Sequence, residues 1–391
     1  DDTPNDGNFC MNGVLMADLT ESPKTVEVKK AYQNIAFKLI DKQTGKVEIT
    51  NKYIETNLAE FAIDWQLLEN GKMIRSGIVL AELSALKTGA FTLQDWMVPT
   101  KQDTEYVLQL SAKTKLDTQW AKSGHKVAWE EFNMQQVSLK FKEEKSNSKA
   151  KIKEDKNGVV LISFIGGALS FDKEKGEVVK VVKGKEILID GGMKLSFARA
   201  YIDNDKKPSI RKPWDAIDLH HLQTRVEEIH ISKKNKNVLI HVEKTHQSES
   251  KSNGFSTVEN YKISGDGLVE VDVTVNYFGQ TIPMTLPRLG YEIKLQKDIV
   301  ESSWYGKGPA SSYKDRNTGM QMGVYTANID AHFVNYARPQ ENGNKSEVRW
   351  AKFYGETSSS FLIKGESPLN FSFRKYTTSQ LNNAMYPHQL K

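Results

Sequence analysis

At 391 residues, 38% hydrophobic and 26% charged, the chain has an ordinary globular composition and the length of two domains rather than one. No run approaches the roughly 18 apolar residues that a membrane-spanning helix needs, and nothing near Asp1 has the basic-then-apolar pattern of a signal peptide. The net charge of +5 comes from lysines crowded into residues 142–156 and 173–185 without an aromatic reader motif, so it describes a solvated surface and argues against nucleic-acid and membrane partners.

The chain opens on a segment, residues 2–13, that is dense in Asn, Asp and Gly and has no periodicity. By itself it reads as a tail, although its many side-chain oxygens also suit a hard cation or sugar hydroxyls. Alternation then takes over, with Ile35, Phe37 and Leu39 on one face, followed by Val47 and Ile49. Phe61, Ile63, Trp65 and Leu67 repeat it, as do Tyr106, Leu108 and Leu110. Thr44-Gly45 and Asn70-Gly71 mark turns, the second being the strongest hairpin signal because both central residues of such a turn need positive φ. Seven or so short strands in about a hundred residues predict an immunoglobulin-like β-sandwich over residues 27–142, without the cysteine pair of antibody domains.

Residues 143–156 are rich in Lys, Glu and Ser and read as a linker. Alternation resumes at Val159 and Leu161 and continues through Val238, Ile240 and Val242. It runs on through Tyr261 and Ile263, through Val269, Val271, Val273 and Val275, and through Tyr291, Ile293 and Leu295. Gly-Asp-Gly at 265–267 predicts a further hairpin, and residues 214–223 are the candidate helix. The fold class is therefore all-β. Residues 157–391 form a larger antiparallel body that must curl or close to protect its edges.

Few residues point to chemistry. Cys10 is the single cysteine, which excludes an internal disulfide and a cysteine zinc site and leaves the compartment unread. Side chains of the adjacent His220 and His221 diverge, so the pair suits a surface or core role better than a shared metal. Glu130 and Glu131 diverge in the same way on a strand, unlike the two carboxyl groups roughly 5–9 Å apart that flank a glycosidic bond. Gly306-Lys-Gly-Pro309 lacks the following helix of a phosphate loop, and no Gly-x-Ser-x-Gly elbow exists. His241 and Glu243 share a strand face, the one arrangement that an aldose epimerase could use.

Longer stretches carry a resemblance. Residues 2–13, Asp-Thr-Pro-Asn-Asp-Gly-Asn-Phe-Cys-Met-Asn-Gly, are similar to the end of the catalytic barrel in β-galactosidases of glycoside hydrolase family 2. Residues 120–132, Trp-Ala-Lys-Ser-Gly-His-Lys-Val-Ala-Trp-Glu-Glu-Phe, resemble the last strands of that family's second immunoglobulin-like domain. Residues 199–205, Arg-Ala-Tyr-Ile-Asp-Asn-Asp, resemble the Arg-Ala-Pro-x-Asp-Asn-Asp signature of its terminal domain. Trp304-Tyr-Gly-Lys-Gly-Pro, Tyr313-Lys-Asp-Arg316, Arg338-Pro-Gln-Glu-Asn-Gly-Asn344 and Val348-Arg-Trp350 follow in the family's order.

The resemblance implies a domain plan: residues 1–26 as the end of the barrel, the sandwich as a spacer, and residues 157–391 as a galactose-mutarotase-like supersandwich that stops before the family's last strands. It implies a fragment of a retaining β-galactosidase whose catalytic glutamates lie on the barrel, so none is assigned here and the chain alone is expected to be inactive. Its partners would be a β-galactoside, the missing barrel portion and, since the family forms large oligomers, further copies of itself. The implied metals are Na+, at the backbone oxygen of Phe9 and the side chain of Asn12, and Mg2+ near Asn5, neither held tightly by this chain alone. Asp203, Asn204 and Asp205 correspond to a loop bordering the active site. Tyr201 replaces the usual Pro there, and Lys206-Lys207-Pro208 replaces an apolar residue followed by Gly. The alternative is a carbohydrate-binding module that stacks Trp214, Trp304 or Trp350 on a sugar.

Overall fold

The computed structural model describes residue 4 and residues 13–135, 137, 139, 148–280, 285–355 and 359–390. Helix α1 (Pro23–Ala31) starts where the Ser22 hydroxyl accepts the Lys24 amide and Pro23 presets the first turn. Seven strands follow: β1 (Ile35–Asp41), β2 (Lys46–Asn51), β3 (Phe61–Glu69), β4 (Lys72–Val79), β5 (Thr88–Thr92), β6 (Tyr106–Thr114) and β7 (Lys126–Gln135). They make two antiparallel sheets, ordered β1-β2-β5 and β4-β3-β6-β7. The alternating apolar residues meet between them: Ile35, Phe37, Val47 and Ile49 pack with Ile63, Trp65, Leu108 and Leu110 in one core. Each such side chain, fully buried, contributes about 1.5–3 kcal/mol. Asn70 and Gly71 both have positive φ and close the β3–β4 hairpin as the dipeptide predicts.

Within the stretch read as a linker, residues 151–154 pair as a strand, β8 (Lys151–Glu154). Ala150 and Ile152 place apolar groups in the second core, and this outweighs the charged composition around them. Four more strands of that six-stranded sheet follow in the chain, β9 (Val159–Phe164), β10 (Gly167–Asp172), β11 (Glu177–Lys183) and β12 (Glu186–Ser196). The chain continues with β13 (Gln223–Lys234), β14 (Asn237–Gln247), β15 (Gly254–Ile263), β16 (Val269–Phe278) and β17 (Gly290–Leu295). It closes with β18 (Glu301–Gly308), β19 (Gln321–Asn328), β20 (Lys345–Tyr354) and β21 (Ser360–Phe371). The sheets are ordered β17-β12-β11-β10-β9-β8, β13-β14-β15-β16 and β19-β18-β20-β21. Every pairing among the described strands is antiparallel, as the all-β reading expects.

Val160, Ile162 and Phe171 pack against Val238, Ile240 and Tyr261, which joins the six-stranded sheet to β13–β16. A further core gathers Leu188, Trp304, Val348 and Phe353 around β18–β21. The candidate helix at 214–223 is displaced: α2 runs Pro208–Ile217, and residues 218–222 lead into β13. Pro208 favours the early start, and Asp218, in the left-handed conformation at φ 59 and ψ 51, ends the helix. Two short helices, α3 (Ile329–His332) and α4 (Thr378–Asn383), complete the regular structure.

Candidate functional site

The loop that leaves β12 is organised by one carboxylate. Asp205 is buried in a 3-10 turn, Asp203–Lys206, and accepts both arms of Arg199, at 2.6 Å from Nη1 and 3.0 Å from Nη2. It also accepts the Ile202 amide at 2.8 Å, so the loop closes on itself around a bidentate charge pair. Asp203 and Asn204 lie on the exposed side of that turn. Of the three residues expected in a substrate loop, Asp205 therefore holds the loop, while Asp203 and Asn204 are exposed.

Tyr201 and α2 brace this loop from behind. The Tyr201 ring lies 4.5 Å from His220 and 5.0 Å from the Arg211 guanidinium, and its amide donates to Asn382 Oδ1 of α4 at 2.8 Å. Burial pushes the His220 pKa down and the Tyr201 phenol up. His221 points the other way, to Asp218 at 2.6 Å, so the histidine pair is divided as expected. Trp214 is buried beneath Arg199 and donates Nε1 to the Thr285 carbonyl at 2.7 Å. Trp304 is also buried, and Trp350 is half-buried beside the contact between the two bodies, so none of the three offers a free sugar-stacking face.

Parity along β14 sorts the polar residues of the larger body. Val238, Ile240 and Val242 face the core, so His241 and Glu243 fall on the opposite face, 3.4 Å apart and open to solvent. Asn260, with help from Glu243, lifts the His241 pKa. His246, which the sequence offers beside His241 without an acidic ligand at a recognisable spacing, and Lys244, which carries no sequence signal of its own, take the next inward positions by the same i, i+2 rule. Lys244 Nζ meets the fully buried Glu259 carboxylate at 2.8 Å, and Tyr261 and Tyr291 donate their hydroxyls to its other oxygen. This cluster is closed and suited to holding β14, β15 and β17 together rather than to reacting, with Glu259 Oε1 met by the Lys244 charge but by no hydrogen bond.

Glu130 and Glu131 diverge as a strand requires. Glu130 pairs with Lys30 of α1 at 2.9 Å, whereas Glu131 turns into the contact between the sandwich and the larger body. There it accepts the Met322 amide at 2.7 Å and Gln109 Nε2 at 3.1 Å, and burial raises its pKa. A cleft of about 250 Å³ opens beside it, bordered by Glu105, Lys307 and Arg349. Phe9, Asn12 and Asn5 lie outside the described residues. Among the described residues no group of three or more His, Cys, Asp or Glu side chains could hold a metal ion.

A family model described as the β-galactosidase small chain matches residues 166–391, more than half of the sequence. The chain belongs to this β-galactosidase family. A second model, described as β-galactosidase domain 4, matches residues 47–135, the span of β2 to β7. Over its whole length the chain is 29% identical to the β-galactosidases of Priestia megaterium and of Lactobacillus delbrueckii subsp. bulgaricus. It is 28% identical to that of Psychromonas ingrahamii. It spans only 37% to 38% of the length of these relatives. Within this β-galactosidase family member, the Arg199–Asp205 loop sets the exposed Asp203 and Asn204 on a rigid support.

Proposed function

We propose that the chain is the carboxy-terminal portion of a retaining β-galactosidase that hydrolyses terminal non-reducing β-D-galactosyl residues, and that it is inactive on its own. The observation that carries this reading is the match of the whole chain to several β-galactosidases across little more than a third of their length. A retaining glycosidase needs two carboxyl groups about 5–5.5 Å apart, one acting as acid and base and the other as nucleophile. The candidate carboxylates described above are committed elsewhere, Glu130 to Lys30, Glu131 to the Met322 amide and Asp205 to Arg199. The catalytic pair would come from the part of the enzyme that this chain does not match.

In the assembled enzyme Asp203 and Asn204 would border the galactoside, with Asp205 fixing their turn. Sodium at the Phe9 backbone oxygen and the Asn12 side chain, and magnesium near Asn5, belong to the same proposal, since carbonyl and amide oxygens suit hard cations. Packing between copies of the assembled enzyme is a further expectation. The test mixes the purified chain with the separately produced, unmatched portion of the Priestia megaterium enzyme and follows hydrolysis of a chromogenic β-galactoside. Activity that appears only in the mixture supports the reading. Robust hydrolysis by the chain alone, or an inert mixture of two folded partners, overturns it.

A further inference from the structure

The corner between β18 and β20 buries positive charge without a matching carboxylate. β18 ends at Gly308, and the chain from Pro309 onward folds back across the start of β20. Ser312 fixes that crossing: its amide donates to the Asn344 carbonyl and its own carbonyl accepts Asn344 Nδ2, each at 2.7 Å. The Ser346 amide then donates to the Ser312 hydroxyl at 2.9 Å. Between these two contacts Lys345 turns inward, and it is only 1% exposed.

Lys345 donates Nζ to the Pro309 carbonyl at 2.9 Å and lies 5.1 Å from the centre of the Trp304 ring. A carbonyl and an aromatic face soften a positive charge without neutralising it. Burial, with Arg316 beside it, lowers the Lys345 pKa to about 8, which leaves the amine protonated at neutral pH. Arg316 spends Nη1 and Nη2 on the carbonyl and the hydroxyl of Ser311, each at 3.0 Å, and lies over the Tyr313 ring. Among the described residues no carboxylate pairs with either cation. Glu341 is near enough to join burial in raising the Tyr313 pKa, but it already meets Arg288 at 2.7 Å and Arg374 at 2.8 Å. Its charge is therefore spent, whereas buried charges are ordinarily paired.

We infer that Lys345, Arg316 and the Ser311 hydroxyl form a binding site for one small monovalent anion of halide size. The Ser311 hydroxyl accepts Arg316, and its own proton has no acceptor among the described residues. Ammonium, guanidinium and hydroxyl protons together make a donor set that an anion takes in place of water. Ser311, Ser312 and Ser346 are each at most 5% exposed, which leaves no entry for a sugar or a nucleotide. Chloride fits what remains, being singly charged, compact and without directional demands on its donors. Such a site acts on stability whether or not the chain takes part in galactoside hydrolysis.

The test follows thermal unfolding of the full chain as sodium gluconate is exchanged for sodium chloride at constant ionic strength, which holds general screening fixed. We expect the midpoint to rise along a saturable curve, because an anion held only by the folded state stabilises it by mass action. Lys345→Met keeps the length and apolar packing of the side chain and should weaken the apparent chloride affinity by about tenfold or more. Lys314→Met, at an exposed neighbour on the same loop, should leave that affinity unchanged. Arg316→Gln supplies the same comparison where Lys345→Met does not fold. A crystal grown in sodium bromide locates the ion independently through its anomalous signal, expected between Lys345 and Arg316. No saturable response in the parent chain, or bromide found only elsewhere, would overturn the site. A response that survives both Lys345→Met and Arg316→Gln would show an adventitious ion only, and would overturn it as well.

Discussion

The Glu105 carboxylate, just ahead of β6, receives Arg349 of β20 through Nε at 2.9 Å and Nη2 at 2.5 Å. Tyr305 of β18 donates its hydroxyl to the same carboxylate. One charge from the sandwich is thus satisfied entirely by the larger body, beside an apolar contact of Leu68 and Val107 with Tyr305 and Met322. Both ion-pair side chains are nearly excluded from water. Charged groups in such a place depend on each other strongly, because each lone partner would be left without its hydration.

Replacing Arg349 with Ala should therefore cost about 3–5 kcal/mol, the usual effect of breaking a buried pair. Denaturation of the variant in urea should split into two transitions as the sandwich and the larger body lose their coupling. The paired replacement Glu105→Leu/Arg349→Met should recover most of the loss, since neither charge is then left unmet. A single variant within about 1 kcal/mol of the parent would show that the pair does not hold the bodies together.

A second outcome concerns pH. His246 is buried between Thr224 and Thr257, each at 3.0 Å, and burial lowers its pKa to about 4. Unfolded, the imidazole takes up its proton near pH 6.5, so the unfolded state binds more protons between pH 6.5 and about 4. The stabilisation is complete above pH 6.5 and is lost as pH falls through this window, by up to about 1.4 kcal/mol per unit. His246→Gln should flatten the slope of stability against pH. Part of it should persist, because burial lowers His332 to about 3 and gives it the same sign.

Gly71→Ala should be worse than its hairpin position alone would make it. A Cβ at this residue would fall 2.4 Å from Cδ2 of Tyr305, in addition to the strain of φ 80. Overpacking and backbone strain together predict a loss of at least about 2 kcal/mol in thermal or chemical denaturation. Trimming the obstructing ring in Gly71→Ala/Tyr305→Leu should lessen the added penalty, and additive losses would refute the steric account.

In the Arg199–Asp205 loop the effects of Asp205 and Asp203 should separate. Asp205→Ala removes the anchor of Arg199 and the Ile202 amide, and amide hydrogens across residues 199–207 should exchange faster. Complemented galactosidase activity should fall with it. Asp203→Ala should disturb exchange less than Asp205→Ala does and change activity mainly through KM. Equal effects of both on exchange would remove the distinction between the residue that holds the turn and the one that faces outward.

Strand positions, the Asn70-Gly71 turn, the all-β class and the opposed directions of Glu130 and Glu131 were determined by the sequence, because alternation and turn preference act over a few residues. The same parity puts His241 and Glu243 on one face of β14 and Lys244 and His246 on the other, but the packing of Val238, Ile240 and Val242 decides which face is the core. Only tertiary structure decided that Ala150 and Ile152 would draw part of a charged stretch into a sheet, that Asp205 would spend its carboxylate on Arg199, and that α1 would wedge between two bodies. Glu105 and Arg349 lie 244 positions apart, and no local period links them. Their partnership follows from desolvation, which becomes a demand only when two surfaces close over the same charge.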